Sequence, residues 1–130
     1  MDTLQKLKDA LFQVRTDRIT TGNGLEKVVR DNCKKHHLLC IRTDYKNNVP
    51  DFLISDGSGQ FIFLECKYYG AAKHLDWRVA MSRYQQKQKK QYEAFCKLAL
   101  KAPIYFLFVS KQKHDNNPSL NIVKLGEHYE

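Results

Sequence analysis

The run Phe61-Ile62-Phe63-Leu64-Glu65-Cys66-Lys67-Tyr68 sets an acid and a base, two residues apart, into a stretch with the aromatic and branched composition of a buried strand. The pattern predicts a strand over 60–68. Its two-residue period puts Glu65 and Lys67 on one face and Leu64, Cys66 and Tyr68 on the other. A second apolar run, 49–55, precedes it and is joined to it by the turn-forming Asp56-Gly57-Ser58-Gly59. Antiparallel pairing of the two runs brings Asp51, near the start of the first, close to Glu65. Two carboxylates at one spot repel each other, and desolvating them costs free energy unless a proton or a cation neutralises them. An ion pair with purely structural work, Glu65–Lys67 or Asp51–Lys67, is one way to meet that cost. A divalent cation is the other: hard oxygen donors favour Mg2+ or Mn2+, which keep waters for a phosphate substrate.

Periodicity places the rest of the chain around this hairpin. Leu4, Leu7, Ala10, Leu11 and Val14 predict an amphipathic helix over 3–18, broken by Thr20-Thr21-Gly22-Asn23-Gly24. A second helix is expected over 25–37, with Leu25, Val28, Val29 and Cys33 on one face, and a short strand over 38–43. A polar loop, Asp44-Tyr45-Lys46-Asn47-Asn48, separates that strand from the hairpin. Beyond it come a loop over 69–79 and a long helix over 80–101 that Pro103 stops. A run over 104–109 is apolar enough for a central strand, and a last strand is expected over 120–125. The order α-α-β-β-β-α-β-β describes an α/β domain, a small mixed sheet flanked by helices. A chain of 130 residues accommodates one such domain with a single core.

Charge narrows the partners. Twenty-two Lys and Arg against 14 Asp and Glu give a formal net charge of +8, which suits a polyanion, nucleic acid first. No apolar run approaches the ~20 residues that span a bilayer, and the start Met1-Asp2-Thr3-Leu4-Gln5-Lys6 lacks the apolar centre of a signal peptide. Neither a membrane nor a small-molecule cofactor is expected. Cys33, Cys40, Cys66 and Cys96 form no Cys-x-x-Cys pair, and the adjacent His36 and His37 would splay about 100° apart on a helix, so a zinc site is not predicted. Reduced thiols in the cytoplasm, or another reducing interior of a cell, fit better.

Pro50-Asp51, thirteen intervening residues and Glu65-Cys66-Lys67 together resemble the PD-(D/E)xK signature of the restriction-endonuclease-like nucleases. Small members of that superfamily often begin with a helix bearing a Glu, and Gly24-Leu25-Glu26-Lys27-Val28-Val29 offers Glu26. Cys40-Ile41-Arg42 and Glu65-Cys66-Lys67 are similar to segments of archaeal-type Holliday-junction resolvases and of small phage and viral nucleases. The resemblance spans residues 22–109, leaving the helix within 1–20 as a dimer contact or a packing element. It implies a restriction-endonuclease-like fold and a metal-dependent phosphodiesterase. Asp51, Glu65 and the Cys66 backbone carbonyl would hold Mg2+ or Mn2+, and Glu26 would complete the shell directly or through water. Lys67 would orient or help deprotonate the attacking water, with Gln88 assisting. The chain departs from the resolvase pattern at 44–48, where a small Ser/Gly loop is usual. Branched DNA cut by a homodimeric endonuclease is the substrate so implied. The rivals are an RNA endonuclease of the cap-snatching type, for which His36 and His37 sit at the wrong end of the Glu26 helix, and a non-catalytic basic DNA-binding module.

The expected helix over 80–101 adds to this reading. Met81, Gln85, Gln88, Tyr92, Phe95 and Ala99 share one face, so two amides stand where apolar side chains are usual. Nine Lys or Arg and two acids lie between 67 and 101, a net +7, whereas the remainder holds thirteen bases and twelve acids. Lys73, Arg78, Arg83, Lys87 and Lys90 are candidates for binding phosphates, and Tyr69 and Trp77 for stacking on bases. Replacing Arg83, Lys87 and Lys90 together by Ala is expected to weaken DNA binding. It should also flatten the log K against log salt slope by ~0.9 for each duplex phosphate that the variant no longer neutralises. An unchanged slope in a salt titration would move the binding surface elsewhere.

Overall fold

In the computed structural model, which describes residues 2–43, 50–70, 103–111 and 119–124, two helices precede a five-stranded sheet. Helix α1 (Thr3–Leu11) starts at Asp2, whose carboxylate accepts the Gln5 N–H at 2.8 Å, satisfying one of the unpaired donors at a helix start. It is shorter than the 3–18 helix that the periodicity suggests. After Leu11 the chain tightens, with the Val14 N–H on the Leu11 carbonyl at 3.0 Å, and a 3₁₀ turn follows at Thr16–Arg18. The change of direction lets Ile19 enter the core beside Leu7, Ala10 and Leu11, with Leu4 and Val14 packed at its margin. Leu7, Ala10 and Leu11 of α1 thus pack into the core of the same chain.

Helix α2 (Gly22–Lys35) starts three residues before the expected position and ends two residues earlier. Thr21 Oγ1 accepts the Gly24 N–H at 2.9 Å, so the glycine-containing stretch read as a break is instead the cap and first turn. That cap, with burial of Leu25, Val29 and Cys33, offsets a glycine cost of about 1 kcal/mol each. At the other end His37 adopts a left-handed conformation, φ 60°, and the Leu38 N–H returns to the Cys33 carbonyl at 2.8 Å. This is the left-handed helix stop usually made by glycine, with Leu38 buried against the turn it closes.

The sheet comprises β1 (Leu39–Arg42), β2 (Phe52–Ser55), β3 (Phe61–Tyr68), β4 (Ile104–Val109) and β5 (Leu120–Lys124), lying side by side in chain order. Only β3 and β4 are parallel; the other neighbours are antiparallel. A parallel pair requires a crossover connection. Residues 71–102 make that connection and lie outside the described residues, as does the helix expected over 80–101. The elements that are described follow the expected order of a mixed α/β sheet.

Alternation divides the sheet into two faces. Phe52, Ile54, Ile62, Leu64, Leu107 and Val109 join Leu7, Leu11, Leu25 and Val29 in one core beneath the helices. Each fully buried Leu or Val there is worth ~1.5–3 kcal/mol relative to exposure. Phe63, Glu65 and Lys67 project from the opposite face, beside Ile104, Phe106 and Phe108 of β4. Three ties hold the helices in register with the hairpin. Thr3 Oγ1 donates to the Gln60 carbonyl, Lys6 Nζ lies 3.1 Å from Asp56 Oδ2, and Tyr68 Oη donates to the Ile19 carbonyl at 2.6 Å. Among the described residues no helix is long and apolar enough to cross a membrane.

His37→Gly is expected to raise stability by about 1 kcal/mol, because glycine occupies the left-handed region without a Cβ penalty. A urea titration checks this; a lower midpoint at unchanged slope would show that His37 contributes something its backbone does not reveal.

Candidate active site

Register determines what meets what at the open end of the hairpin. Phe52 lies opposite Leu64 and Leu53 opposite Phe63; continued outward, the same register sets Asp51 opposite Glu65 and Pro50 opposite Cys66. The side chains of Asp51 and Glu65 therefore leave the sheet on one face. Asp51 Oδ2 accepts the backbone N–H of Cys66 at 2.8 Å, which holds the carboxylate against β3 between Glu65 and Lys67.

Pro50 explains why this end of the ladder is open. Residues 62, 64 and 66 turn their N–H and C=O groups toward β2, since the alternate residues bond toward β4, as the Phe63 N–H to the Pro103 carbonyl and the Tyr69 N–H to the Val109 carbonyl show. Opposite Cys66 the partner position is proline, which has no N–H to give. The Cys66 carbonyl, on the same side, therefore gets no main-chain donor from that position, and the Cys66 N–H donates to the Asp51 carboxylate in place of the Pro50 carbonyl, which accepts from Thr43 Oγ1. Thr43, just past β1, secures the Pro50-Asp51 segment. Its N–H donates to the Asp51 carbonyl at 2.9 Å and its Oγ1 to the Pro50 carbonyl at 2.6 Å.

Glu65 is 6% exposed, and Lys67 Nζ stands 3.8 Å from its Oε2. The ion pair expected as a structural alternative is therefore present, but it does not account for the second carboxylate, Asp51, aimed at the same three residues of β3. Around them the face is aromatic: Phe106 and Phe108 stack at 5.9 Å between ring centroids, and Tyr69 packs on Phe108 at 6.0 Å. Tyr69, expected at the nucleic-acid surface, is half-buried against that ring.

Glu26 approaches from the helix side. Its Oε1 lies 3.8 Å from Arg42 Nη2, with the Glu26 side chain 14% exposed. The Cys66 thiol reports all three acids. Burial pushes it well above the ordinary thiol range, and the charges of Asp51, Glu65 and Glu26 add to that shift in this order. The structure thus gathers Asp51, Glu65 and Lys67 on one face of β3 and sets Glu26 across the strand from them, paired with Arg42. Sequence reasoning misses the role of Arg42, although its alternation with Cys40 toward α2 is the signal that could have found it. Lys73, Trp77, Arg78, Arg83, Lys87, Gln88 and Lys90 lie outside the described residues.

Among the described residues no cluster of three or more His, Cys, Asp or Glu can hold a metal ion by itself. The donor set nevertheless fits a magnesium-type ion, which dehydrates reluctantly and is usually held by one or two carboxylates together with water and substrate phosphates. Asp51, Glu65 and the outward Cys66 carbonyl are such a set.

The chain matches no family model and no curated protein. Among solved structures it is similar to Hjc, a Holliday junction resolvase from the archaeal hyperthermophile Archaeoglobus fulgidus. The TM-score is 0.55 at 15% sequence identity, over 84% of this chain and 78% of that one. The chain has the restriction-endonuclease-like fold that its sequence resembles.

Removing the acceptor from Asp51 leaves a β3 donor unpaired. Asp51→Ala is expected to lower stability by about 1–2 kcal/mol, and Asp51→Asn, which retains a side-chain carbonyl, by clearly less. Equal losses in parallel urea titrations would mean that the hydrogen bond to Cys66 does not hold the strand end.

Proposed function

We propose that this chain is a metal-dependent DNA endonuclease that hydrolyses phosphodiester bonds and prefers branched DNA. One observation bears most of the weight: Asp51 and Glu65 leave one face of adjacent strands, with Asp51 bound to the Cys66 N–H and Lys67 3.8 Å from Glu65. A buried acid, Glu65, beside a half-buried second acid, Asp51, and a lysine, inside an aromatic face, has little structural rationale, since apolar residues of similar volume would serve as well. It suits a centre that binds a cation and a phosphate.

In this reading Asp51, Glu65 and the Cys66 carbonyl would hold Mg2+ or Mn2+, and Glu26, set across β3 and paired with Arg42, contributes only its charge at longer range and not the ligand or water-bridged role the sequence suggests. The bound ion supplies a lowered water pKa and charge neutralisation at the scissile phosphate. Lys67 orients the attacking water and donates to phosphate oxygens as negative charge builds on them. The Asp51 bond to the backbone fixes one carboxylate before substrate arrives, so little reorganisation accompanies the reaction. Gln88 assists at the water, and the surplus of Lys and Arg over 67–101 binds the phosphodiester backbone.

The branched-substrate preference draws on the likeness to a protein described as a Holliday junction resolvase. A two-fold dimer would present two such centres to a four-way junction. Its interface would lie away from the apolar face of α1, which the chain's own core already covers.

Cleavage assays with Mg2+ or Mn2+ on four-way junction, linear duplex, single-stranded DNA and RNA test this function. Asp51→Asn and Glu65→Gln are expected to abolish cleavage while affinity for DNA in EDTA is unchanged or slightly higher. Lys67→Ala is expected to slow cleavage by at least ~10²-fold, the scale of a charge-stabilising group. Wild-type rates in all three variants would remove the proposed centre, and equal cleavage of junction and duplex would leave a general nuclease.

A further inference from the structure

Two thiols outside the carboxylate site meet on the seam between α2 and β1. Cys33 is fully buried in the core, Cys40 is half-buried against the same core, and both are free. The helix stop brings them together. The Leu38 N–H bonded to the Cys33 carbonyl at 2.8 Å folds β1 back along the helix it follows. Leu38 faces inward, and Cys40, two residues on, points to the same side. The two thiols thus face each other across the seam, near enough that each perturbs the other's ionisation, Cys33 upward and Cys40 downward.

The seam has a second tie farther along. Glu26 and Cys33 are seven residues apart on one face of α2, while Arg42 and Cys40 are two apart on one face of β1. The Glu26–Arg42 ion pair holds one end, and the thiol pair holds the other.

We propose that Cys33 and Cys40 are a redox modification site, converted by a low-molecular-weight disulfide into an intramolecular disulfide that ties α2 to β1. Cys40 is the attacking thiol. The Cys33 thiol facing it lowers its pKa despite burial, and the Arg30 guanidinium lowers it further, whereas the Cys40 thiol and burial push Cys33 up. The Cys40 thiolate attacks one sulfur of the small disulfide, forming a mixed disulfide and releasing one small thiolate. Cys33 passes its proton to that thiolate. The Cys33 sulfur then attacks the Cys40 sulfur and expels the second small thiolate, which takes up the proton that Cys40 lost on ionising. Two protein thiols are oxidised, and one small disulfide is reduced to two small thiols. In a reducing compartment such a bond forms and breaks with the thiol–disulfide balance, which is the usual role of intracellular disulfides.

The test uses the full chain incubated with oxidised glutathione, then denatured, alkylated and mapped by mass spectrometry. Trypsin cuts at Lys34 and Lys35, between the two cysteines, so a bond between them appears as two linked peptides. The expected result is a Cys33–Cys40 link that dithiothreitol removes and that Cys66→Ala retains. Cys40→Ser is expected to lose both the link and the gain in melting temperature that oxidation gives the wild type. The wild-type map decides the matter even if that variant folds poorly. A glutathione adduct left on Cys40 with Cys33 still alkylated, a link to another cysteine, or a link between two chains would overturn the proposal.

Discussion

The backbone N–H of Cys66 is bound by a side-chain carboxylate where the ladder would otherwise supply a main-chain acceptor. The rest of the site depends on that substitution. Strand β2 ends because Pro50 cannot donate, and Asp51, one residue later, supplies an acceptor of its own. One dipeptide thus terminates a strand, satisfies the neighbouring strand's N–H and gives the Cys66 carbonyl no main-chain donor from that position. Thr43 makes the arrangement rigid by bonding to the backbone of both residues. A loop carrying the same acid would hold it far less firmly.

Strand β3 is two-sided, and the two sides do different work. Ile62, Leu64 and Tyr68 face the helices, whose apolar residues complete a dry core. Glu65 and Lys67 face the other way, among phenylalanines. The apolar face provides the burial free energy that lets the same strand bear a buried acid, Glu65, on its back. Alternation, not proximity in sequence, separates the two functions: Cys66 lies between Glu65 and Lys67 in the chain yet turns its thiol toward the core margin. Burial there raises its pKa, and carboxylates on both sides of the sheet raise it further.

Much of this was legible from the amino acids. Glu65 and Lys67 share a face because strands repeat every two residues, and Asp51 falls near Glu65 because a tight turn sets the register of the hairpin. The helix ends were harder to read. The apolar spacing through Val14 continues the helical pattern, but Leu11 is where packing needs the chain to turn and admit Ile19. The glycines at 22 and 24 signal a break by propensity, yet Thr21 converts them into a helix start. His37 in a left-handed stop gives no glycine to mark the end of α2. The pairing of Glu26 with Arg42 joins a helix and a strand packed together in three dimensions, so local pattern alone does not show it.

The central claim is that Asp51, Glu65 and the Cys66 carbonyl form one cation site on β3. Crystals of the chain equilibrated with Mn2+, measured at the manganese absorption edge, test it directly. A single anomalous peak bonded to both carboxylates and the Cys66 carbonyl oxygen is the predicted result. An anomalous map with no peak there at saturating Mn2+, or with the ion held by other residues, would contradict it.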